Sequence, residues 1–220
     1  MTIQQFRDRT FDREVRYDEK SKQYPLRATF QKLASDEPRS YTWSCPVTLD
    51  QGPDGACVGY SITQEIAARP KMHLVDPPLA ERIYREAKTI DEWAGEDYEG
   101  TSVLAGMKVA QRLGYFTAYR WAFSLNDVLV GVSRKGPGIL GCWWYEGMFE
   151  PDAHGLIHPT GEAVGGHAIL VNGVNVKRRT VRLHNSWGPT WGTNGECEMP
   201  WDEFEFLLHD DGEFCIPQRA

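Results

Sequence analysis

Residues 51–68 read QGPDGACVGYSITQEIAA, a glycine-rich turn that runs directly into an apolar segment. Runs of glycine, proline and aspartate such as the first five residues are typical of turns. Three apolar residues then recur every fourth position, which is the spacing of one buried helical face: Val58, Ile62 and Ile66. The stretch therefore predicts a buried helix that starts close to Cys57 and ends before Pro70.

The rest of the chain divides into a helical part followed by a part made of strands. Apolar spacing and capping residues predict further helices over about 78–88, 102–113 and 125–133. Short runs bounded by glycine, proline and asparagine predict strands over 139–145, 168–171, 180–184 and 196–199, with a long loop over 146–166. Helices first and strands later indicate an α+β protein with two lobes.

The first 45 residues differ from the remainder, because they are polar and show no sustained periodicity. We interpret 1–45 as an N-terminal arm with one short helix, which packs on the body through Tyr41 and Trp43. The arm is also the only segment available as a short prosegment, and 46–220 is expected to form the folded domain.

Composition excludes several classes of protein. The 24 Lys and Arg against 31 Asp and Glu give a formal charge of −7, which disfavours binding to nucleic-acid phosphates. No run approaches the ~18 apolar residues of a membrane helix, and the charged first 20 residues contain no apolar core of a secretory signal. We therefore expect a cytoplasmic protein that binds neither nucleic acid nor a membrane.

The cysteines do not form a recognisable framework, since their number is odd and no C-x-x-C occurs: Cys45, Cys57, Cys142, Cys197 and Cys215. Cys57 differs from the others because it lies in the first turn of the predicted helix, where the helix dipole favours a thiolate. The dipole contributes about 0.3–1 kcal/mol, less than one pKa unit of about 1.4 kcal/mol. A reactive Cys57 therefore needs a cationic partner.

His167 is the histidine best placed to be that partner, because it follows two glycines and opens an apolar strand. Asn185 ends another strand, and its amide oxygen can accept the second imidazole N–H and so fix the tautomer. By contrast, His154 and His158 are four residues apart, but Gly155 and Pro159 oppose a shared helical face. We expect neither a metal nor a cofactor.

Three separated motifs in this order resemble those of the papain-like cysteine peptidases: QGPDGAC at 51–57, GHA at 166–168 and NSWGPTWG at 185–192. The resemblance covers about 43–206. The segments YEGTS at 98–102 and MFEPD at 148–152 are similar to those of the bacterial and phage branch, which lacks a long propeptide. Asp54 and Val58 depart from the family, which commonly has cysteine and tryptophan there.

The resemblance implies a fold, a mechanism and a set of catalytic residues. The fold would be a helical lobe over about 46–135 and an antiparallel, barrel-like β lobe over about 136–220, with the active site in the cleft. Cys57 would be the nucleophile and His167 its general base, then acid, while Asn185 would orient the imidazole. The side chain of Gln51 and the backbone N–H of Cys57 would form the oxyanion hole.

The resemblance also implies how substrate is held. Gly100 and Thr101 would present a backbone edge to an extended peptide, and Gly166 and Trp187 would also line the substrate site. We expect a monomer that acts on peptides or proteins, in the cytoplasm or as a phage-encoded, virion-associated protein.

Two alternatives remain open. The chain could be an amidase that cuts cell-wall peptides, although such hydrolases typically lack the NSWG segment. It could also be a catalytically silent protein that binds peptides in the same groove, although a binder has no need of all four residues Gln51, Cys57, His167 and Asn185.

Overall fold

The structure is a computed structural model that describes residues 11, 13, 19–29, 37–91 and 100–219. The helices are α1 (Cys57–Ala67), α2 (Pro77–Lys88), α3 (Val103–Arg112), α4 (Leu125–Arg134) and α5 (Trp201–His209). The strands are β1 (Tyr41–Thr42), β2 (Phe116–Ala122), β3 (Gly138–Tyr145), β4 (Ala163–Asn175), β5 (Thr180–His184), β6 (Glu196–Pro200) and β7 (Glu213–Arg219). Short 3₁₀ turns cover Glu19–Gln23, Leu26–Thr29 and Glu146–Met148.

The strands form a single sheet in the order β2-β7-β3-β4-β5-β6, and β1 adds to β4. Every strand pair is antiparallel. The 13-residue β4 organises the sheet, because its first part pairs with β3 and its second part with β5 and β1. In this register His167 lies opposite Cys142, and Leu170 lies opposite His184.

Helix α1 is the centre of the helical side of the molecule. All eleven of its residues are buried, and it packs against α2 and against β4. Apolar residues of α1, α2 and α3 form one core together with Ala168 and Leu170 of β4. A second core contains apolar residues of β3 to β7, α4 and α5 together with five tryptophans: Trp43, Trp144, Trp187, Trp191 and Trp201. The α+β fold with two lobes is confirmed.

The predicted helices agree with α1 to α4, and the predicted strands agree with β3, β5 and β6 to within a few residues. Predicted strand 168–171 proved too short, because β4 starts at Ala163 and pairs its glycine-containing start with β3. The elements β1, β2, α5 and β7 were not predicted from the sequence. Strands β2 and β7 pair with each other although neither alternates cleanly in hydrophobicity, and β2 lies within the range assigned to the helical lobe.

The arm contacts the body partly as predicted. The Trp43 side chain is buried and donates its indole N–H to the carbonyl of Val132 at 2.6 Å. Tyr41 stacks edge-on against Trp43 but is 38% exposed. Within the described residues, no helix has the length and apolar character needed to cross a bilayer.

Gly59 permits the close approach of α1 to α2. A Cβ atom at this position would lie 2.3 Å from the carbonyl oxygen of Ala80 and 2.9 Å from Cβ of Tyr84. Because a backbone carbonyl cannot rotate away as a side chain can, the two helices would have to separate. Cys57 is in the same turn, so this contact also determines where the start of α1 lies.

We predict that Gly59→Ala lowers the free energy of unfolding by about 1–3 kcal/mol, since overpacking against backbone outweighs the ~1 kcal/mol gained in helix propensity. Urea denaturation measures this change. Gly136→Ala is the matched control, because its Cβ would meet the nearest atom at an ordinary 3.9 Å. An unchanged or raised stability of Gly59→Ala would contradict the packing argument.

Candidate active site

Cys57 is the first residue of α1 and is fully buried. The N-cap residue, Ala56, provides no side-chain hydrogen bond to the first turn. The positive end of the helix dipole therefore acts on Cys57 without competition from a capping carboxylate or hydroxyl. The neighbouring Asp54 is exposed, so solvent screens its charge.

His167 and Asn185 are joined by a buried hydrogen bond. Nε2 of His167 lies 2.9 Å from Oδ1 of Asn185, and both residues are 0% exposed. An amide oxygen only accepts hydrogen bonds, so Nε2 carries the proton and Nδ1 is the nitrogen with proton-accepting capacity. Oδ1 also accepts the backbone N–H of Ser186 at 2.9 Å, which fixes the amide orientation. The predicted orienting pair is thus in contact.

Aromatic rings surround this hydrogen bond. The imidazole lies 4.7 Å from the ring of Trp144 and 5.2 Å from the ring of Trp187, measured between centroids. Trp187 in turn packs edge-on against Trp191 at 5.6 Å. These rings exclude water from the His167–Asn185 bond, and a hydrogen bond is stronger in such a low-dielectric setting.

Gln51 is tied to the segment that follows Asn185. Its backbone N–H donates to the carbonyl of Ser186 at 2.9 Å, and its Oε1 accepts the Ser186 hydroxyl at 2.7 Å. Its Nε2 donates to the carbonyl of Asp54 at 2.8 Å. A primary amide has two N–H groups, so the second one remains for a ligand close to the start of α1.

Cys142 lies opposite His167 across β3 and β4. Burial raises the pKa of Cys142 to about 12; the Arg13 guanidinium opposes the rise and Cys57 adds to it. Cys57 belongs to the same apolar core as Ala168, the residue after His167. The start of α1 therefore packs against the part of β4 that carries His167.

The residues predicted to hold substrate lie in two environments. Thr101 is buried and its hydroxyl donates to Asp91 at 2.7 Å, so its side chain supports the fold, and Gly100 next to it is also buried. Gly166 offers its carbonyl to the backbone N–H of Arg13 at 3.0 Å. Trp187 lies against His167, as described above. Among the described residues, no group of three or more metal-ligating side chains occurs.

Known proteins that are similar to this chain in sequence or in fold carry the names of cysteine peptidases. No family model matches the chain. Its sequence is 23% identical over 199 residues to an uncharacterized peptidase C1-like protein of Acanthamoeba polyphaga mimivirus, and 30% identical over 81 residues to a cathepsin B-like cysteine proteinase of Caenorhabditis elegans. These alignments cover 70% and 36% of this chain, and 64% and 24% of the two relatives.

Among solved structures, the chain superposes on xylellain, a cysteine protease of Xylella fastidiosa, with a TM-score of 0.75, 16% identity and 97% coverage of both chains. This chain is a relative of the papain-like cysteine peptidases. At that identity the superposition establishes the papain-like fold alone.

Several residues of this papain-like site could not be found from the sequence. Ser186 holds Gln51, and Trp144 flanks the imidazole, yet neither role follows from local pattern. Phe11 and Arg13 of the arm also reach the site. The Phe11 ring lies 5.9 Å from the imidazole and 5.8 Å from Trp187. For Ser186, the sequence offered one signal, namely its position directly after Asn185.

Glu196 stabilises β5, the strand that ends at His184 directly before Asn185. Burial alone would raise its pKa, but hydrogen bonds from His184, Arg182 and Asn172 outweigh burial and hold the pKa at about 2. The Arg182 guanidinium lies 2.7 Å away, and the Asn172 amide donates at 2.8 Å. The adjacent Gly195 carbonyl accepts the backbone N–H of Asn185 at 2.8 Å.

We predict that His167 gives a protected imidazole proton signal in the ¹⁵N–¹H NMR spectrum, since its Nε2–H is buried against Asn185. Asn185→Ala should speed exchange of this proton with water by about tenfold or more, the equivalent of one buried hydrogen bond of ~1.5 kcal/mol. Asn172→Ala is the control, because that amide bonds Trp43 and Glu196 instead. Equal exchange in both variants would mean that the His167–Asn185 bond is absent in solution.

We predict that Glu196 makes folding sensitive to acid. Its folded pKa of about 2 lies below the ordinary 4.5, so its stabilising effect is complete above pH 5 and disappears as pH falls towards 2. The difference in unfolding free energy between wild type and Glu196→Gln, measured with urea, should shrink over that range. Exposed Glu205 is the control, and Glu205→Gln should show no such trend. A pH-independent difference for Glu196→Gln would refute the argument.

Proposed function

We propose that this chain is a cysteine-type peptidase that acts through a Cys57 thiolate and a His167 imidazolium. The observation that carries the proposal is the buried Nε2–Oδ1 bond between His167 and Asn185 at 2.9 Å, next to the start of the helix that Cys57 opens. That bond leaves Nδ1 as the basic nitrogen. A histidine with a purely structural role needs a buried hydrogen-bond partner only. It does not need a helix N-terminus nearby or a glutamine amide held in place, as Gln51 is.

The acylation step follows from these roles. His167 Nδ1 takes the Cys57 proton, and the resulting ion pair stabilises both charges, so the two groups titrate as a unit. The thiolate attacks the carbonyl carbon of the peptide bond and forms a tetrahedral oxyanion. His167 then gives its proton to the leaving nitrogen, and the C–N bond breaks. The amine departs, and the acyl group remains on Cys57 as a thioester.

The second half of the cycle restores the enzyme. A water molecule gives a proton to His167 Nδ1 and attacks the thioester carbon. The C–S bond breaks and the carboxylic acid leaves. Cys57 is then a thiolate beside the protonated His167, which is the starting ion pair. Throughout, Asn185 keeps the imidazole in one tautomer and one orientation, and Trp187 keeps water from their hydrogen bond.

Gln51 supplies the electrostatic stabilisation of the oxyanion in this scheme. Its second Nε2–H and the backbone N–H of Cys57 would converge on the developing negative charge. Losing one such donor typically raises the barrier by about 2.7–4 kcal/mol. The Ser186 hydroxyl and the Asp54 carbonyl hold the Gln51 amide from both sides, so the donor needs little reorganisation.

We predict that iodoacetamide alkylates Cys57 much faster than the other four thiols at pH 6. Burial raises the pKa of Cys45 and Cys142 to about 12 and those of Cys197 and Cys215 well above the ordinary value, so these four stay protonated. Mass spectrometry of tryptic peptides gives the rates. Equal labelling of all five cysteines would contradict the proposed Cys57–His167 ion pair.

The same protein is then assayed on a peptide library, and Cys57→Ala should abolish hydrolysis. Cys142→Ala is the matched control, and it should alter stability but retain turnover. An irreversible epoxide probe should modify Cys57, whereas a silent peptide-binding protein would remain unmodified. Cleavage of purified cell wall without cleavage of the library would favour the amidase instead.

A further inference from the structure

A cavity of about 270 Å³ lies near the end of α1 that is opposite to Cys57. Its walls come from the last turn of α1 and the loop after it, from the 3₁₀ turn Leu26–Thr29, from the residues that follow α4, and from the end of β7. We name it the Glu65 cavity. Glu65 lies eight residues after Cys57, which is about 12 Å along a helix axis at ~1.5 Å per residue. The cavity is therefore separate from the catalytic residues.

The carboxyl group of Glu65 lines this cavity and is only partly paired. The residue is 1% exposed, and its Oε1 accepts from Nη2 of Arg219 at 2.7 Å and from Nε at 3.1 Å. Its Oε2 is buried and has no hydrogen-bond partner among the described residues. Burial raises the pKa of Glu65 to about 8, although the Arg219 guanidinium lowers it. One guanidinium therefore does not compensate for the burial, and Oε2 can accept a hydrogen bond from a group that enters the cavity.

Arg219 is held by the end of α1 and keeps Glu65 in place. Its Nη1 donates to the carbonyls of Ile66 at 3.0 Å and Ala68 at 2.9 Å, and also to the carbonyl of Lys71. These bonds fix the guanidinium, and the guanidinium fixes Oε1 of Glu65. The position of Oε2 is therefore set before a ligand arrives, which reduces the entropy lost on binding.

Two lysines add positive charge to the Glu65 cavity. Lys71 follows α1, Lys135 follows α4, and both are exposed and line the cavity. Together with Arg219 they place three positive charges around one carboxyl group. A ligand that carried only an ammonium group would be repelled by them. A ligand that donates a charged N–H to Oε2 therefore also needs a negative group.

The rest of the lining is apolar and suits a short hydrocarbon side chain. Leu26 and Ile216 are each 1% exposed, and Pro70 and Pro217 complete this part of the lining. The volume of about 270 Å³ equals that of roughly nine water molecules at ~30 Å³ each. A free amino acid with an aliphatic side chain is of this size and carries both charges.

We propose that the Glu65 cavity binds a free amino acid with an aliphatic side chain. The ammonium group would donate to Oε2 of Glu65, the carboxylate would face Lys71 and Lys135, and the side chain would lie against Leu26 and Ile216. This inference does not rest on the proposed peptidase function, because neither Cys57 nor His167 takes part in it.

The test titrates the ¹⁵N-labelled full chain with L-leucine and follows its amide signals by NMR. Two comparison compounds each lack one charged group of leucine: 3-methylbutylamine has no carboxylate, and 4-methylpentanoate has no ammonium group. Leucine should bind with a dissociation constant of about 1 mM or tighter, and both comparison compounds about tenfold more weakly. Absence of leucine binding up to about 10 mM overturns the inference, as does a comparison compound that binds as tightly as leucine.

Variants locate the bound amino acid. Glu65→Gln should weaken leucine binding by about tenfold or more, because the amide keeps an acceptor for Arg219 but presents an NH₂ group in place of Oε2. Lys71→Gln combined with Lys135→Gln should weaken leucine binding by about threefold to tenfold and should not weaken binding of 3-methylbutylamine. Lys177→Gln is the matched control, because that exposed lysine lies between β4 and β5, outside the cavity.

Leucine binding that is unchanged in both Glu65→Gln and the double lysine variant overturns the inference, since leucine then binds elsewhere. If Glu65→Gln fails to fold, the double lysine variant decides, because both of its side chains are exposed. The titration measures binding and needs no turnover, so an inactive protein that binds leucine contradicts the peptidase alone. An active one that does not bind leucine contradicts the cavity alone.

Discussion

The site depends on one hydrogen bond, from Nε2 of His167 to Oδ1 of Asn185. The bond selects the imidazole tautomer, and the tautomer decides which nitrogen can exchange a proton with a nucleophile. His167 lies in β4 and Asn185 directly follows β5, and the pairing of Leu170 with His184 holds these two strands in register beside them. Trp144 and Trp187 keep water out. The second core contains Trp144, Trp187 and Trp191, and its packing holds these rings around the His167–Asn185 hydrogen bond.

Gln51 extends that support to the helical lobe. Backbone hydrogen bonds join Leu49 to Gly188 and Gln51 to Ser186, and Asp50 pairs with Trp187. The turn before α1 is therefore attached to the segment after Asn185 like a short extra strand. These bonds fix the position of Gln51 relative to Asn185.

The sequence predicted the parts of this site that depend on local pattern. The helix period placed Cys57 at a helix start. Glycines before an apolar run predicted a strand that starts beside His167, and His167 does lie in a strand, although β4 already begins at Ala163. The ends of β4 were not predicted, because residues such as Gly165 pair through their backbone and do not contribute to an apolar periodicity. Strand β7 escaped because its partners β2 and β3 are distant in sequence, and no rule of spacing joins Glu213 to Gly141.

The contacts that the arm makes with the site could not be predicted either, because they also join residues that are far apart in sequence. Nothing near Arg13 in sequence signals that it pairs with a carboxylate 200 positions away. The roles of Cys57, His167, Asn185 and Gln51 rest on motif order and remain proposals about chemistry. The hydrogen bonds that join His167 to Asn185, Asn185 to Ser186 and Ser186 to Gln51 are features of the structure.

The covalent connection between Arg13 and its ion-pair partner Glu213 has a thermodynamic consequence. A group tethered to its own partner acts at a fixed local concentration, and dilution of the protein does not lower it. The fraction of molecules in which Arg13 contacts Glu213 is therefore set by the chain itself, whatever the concentration of the protein.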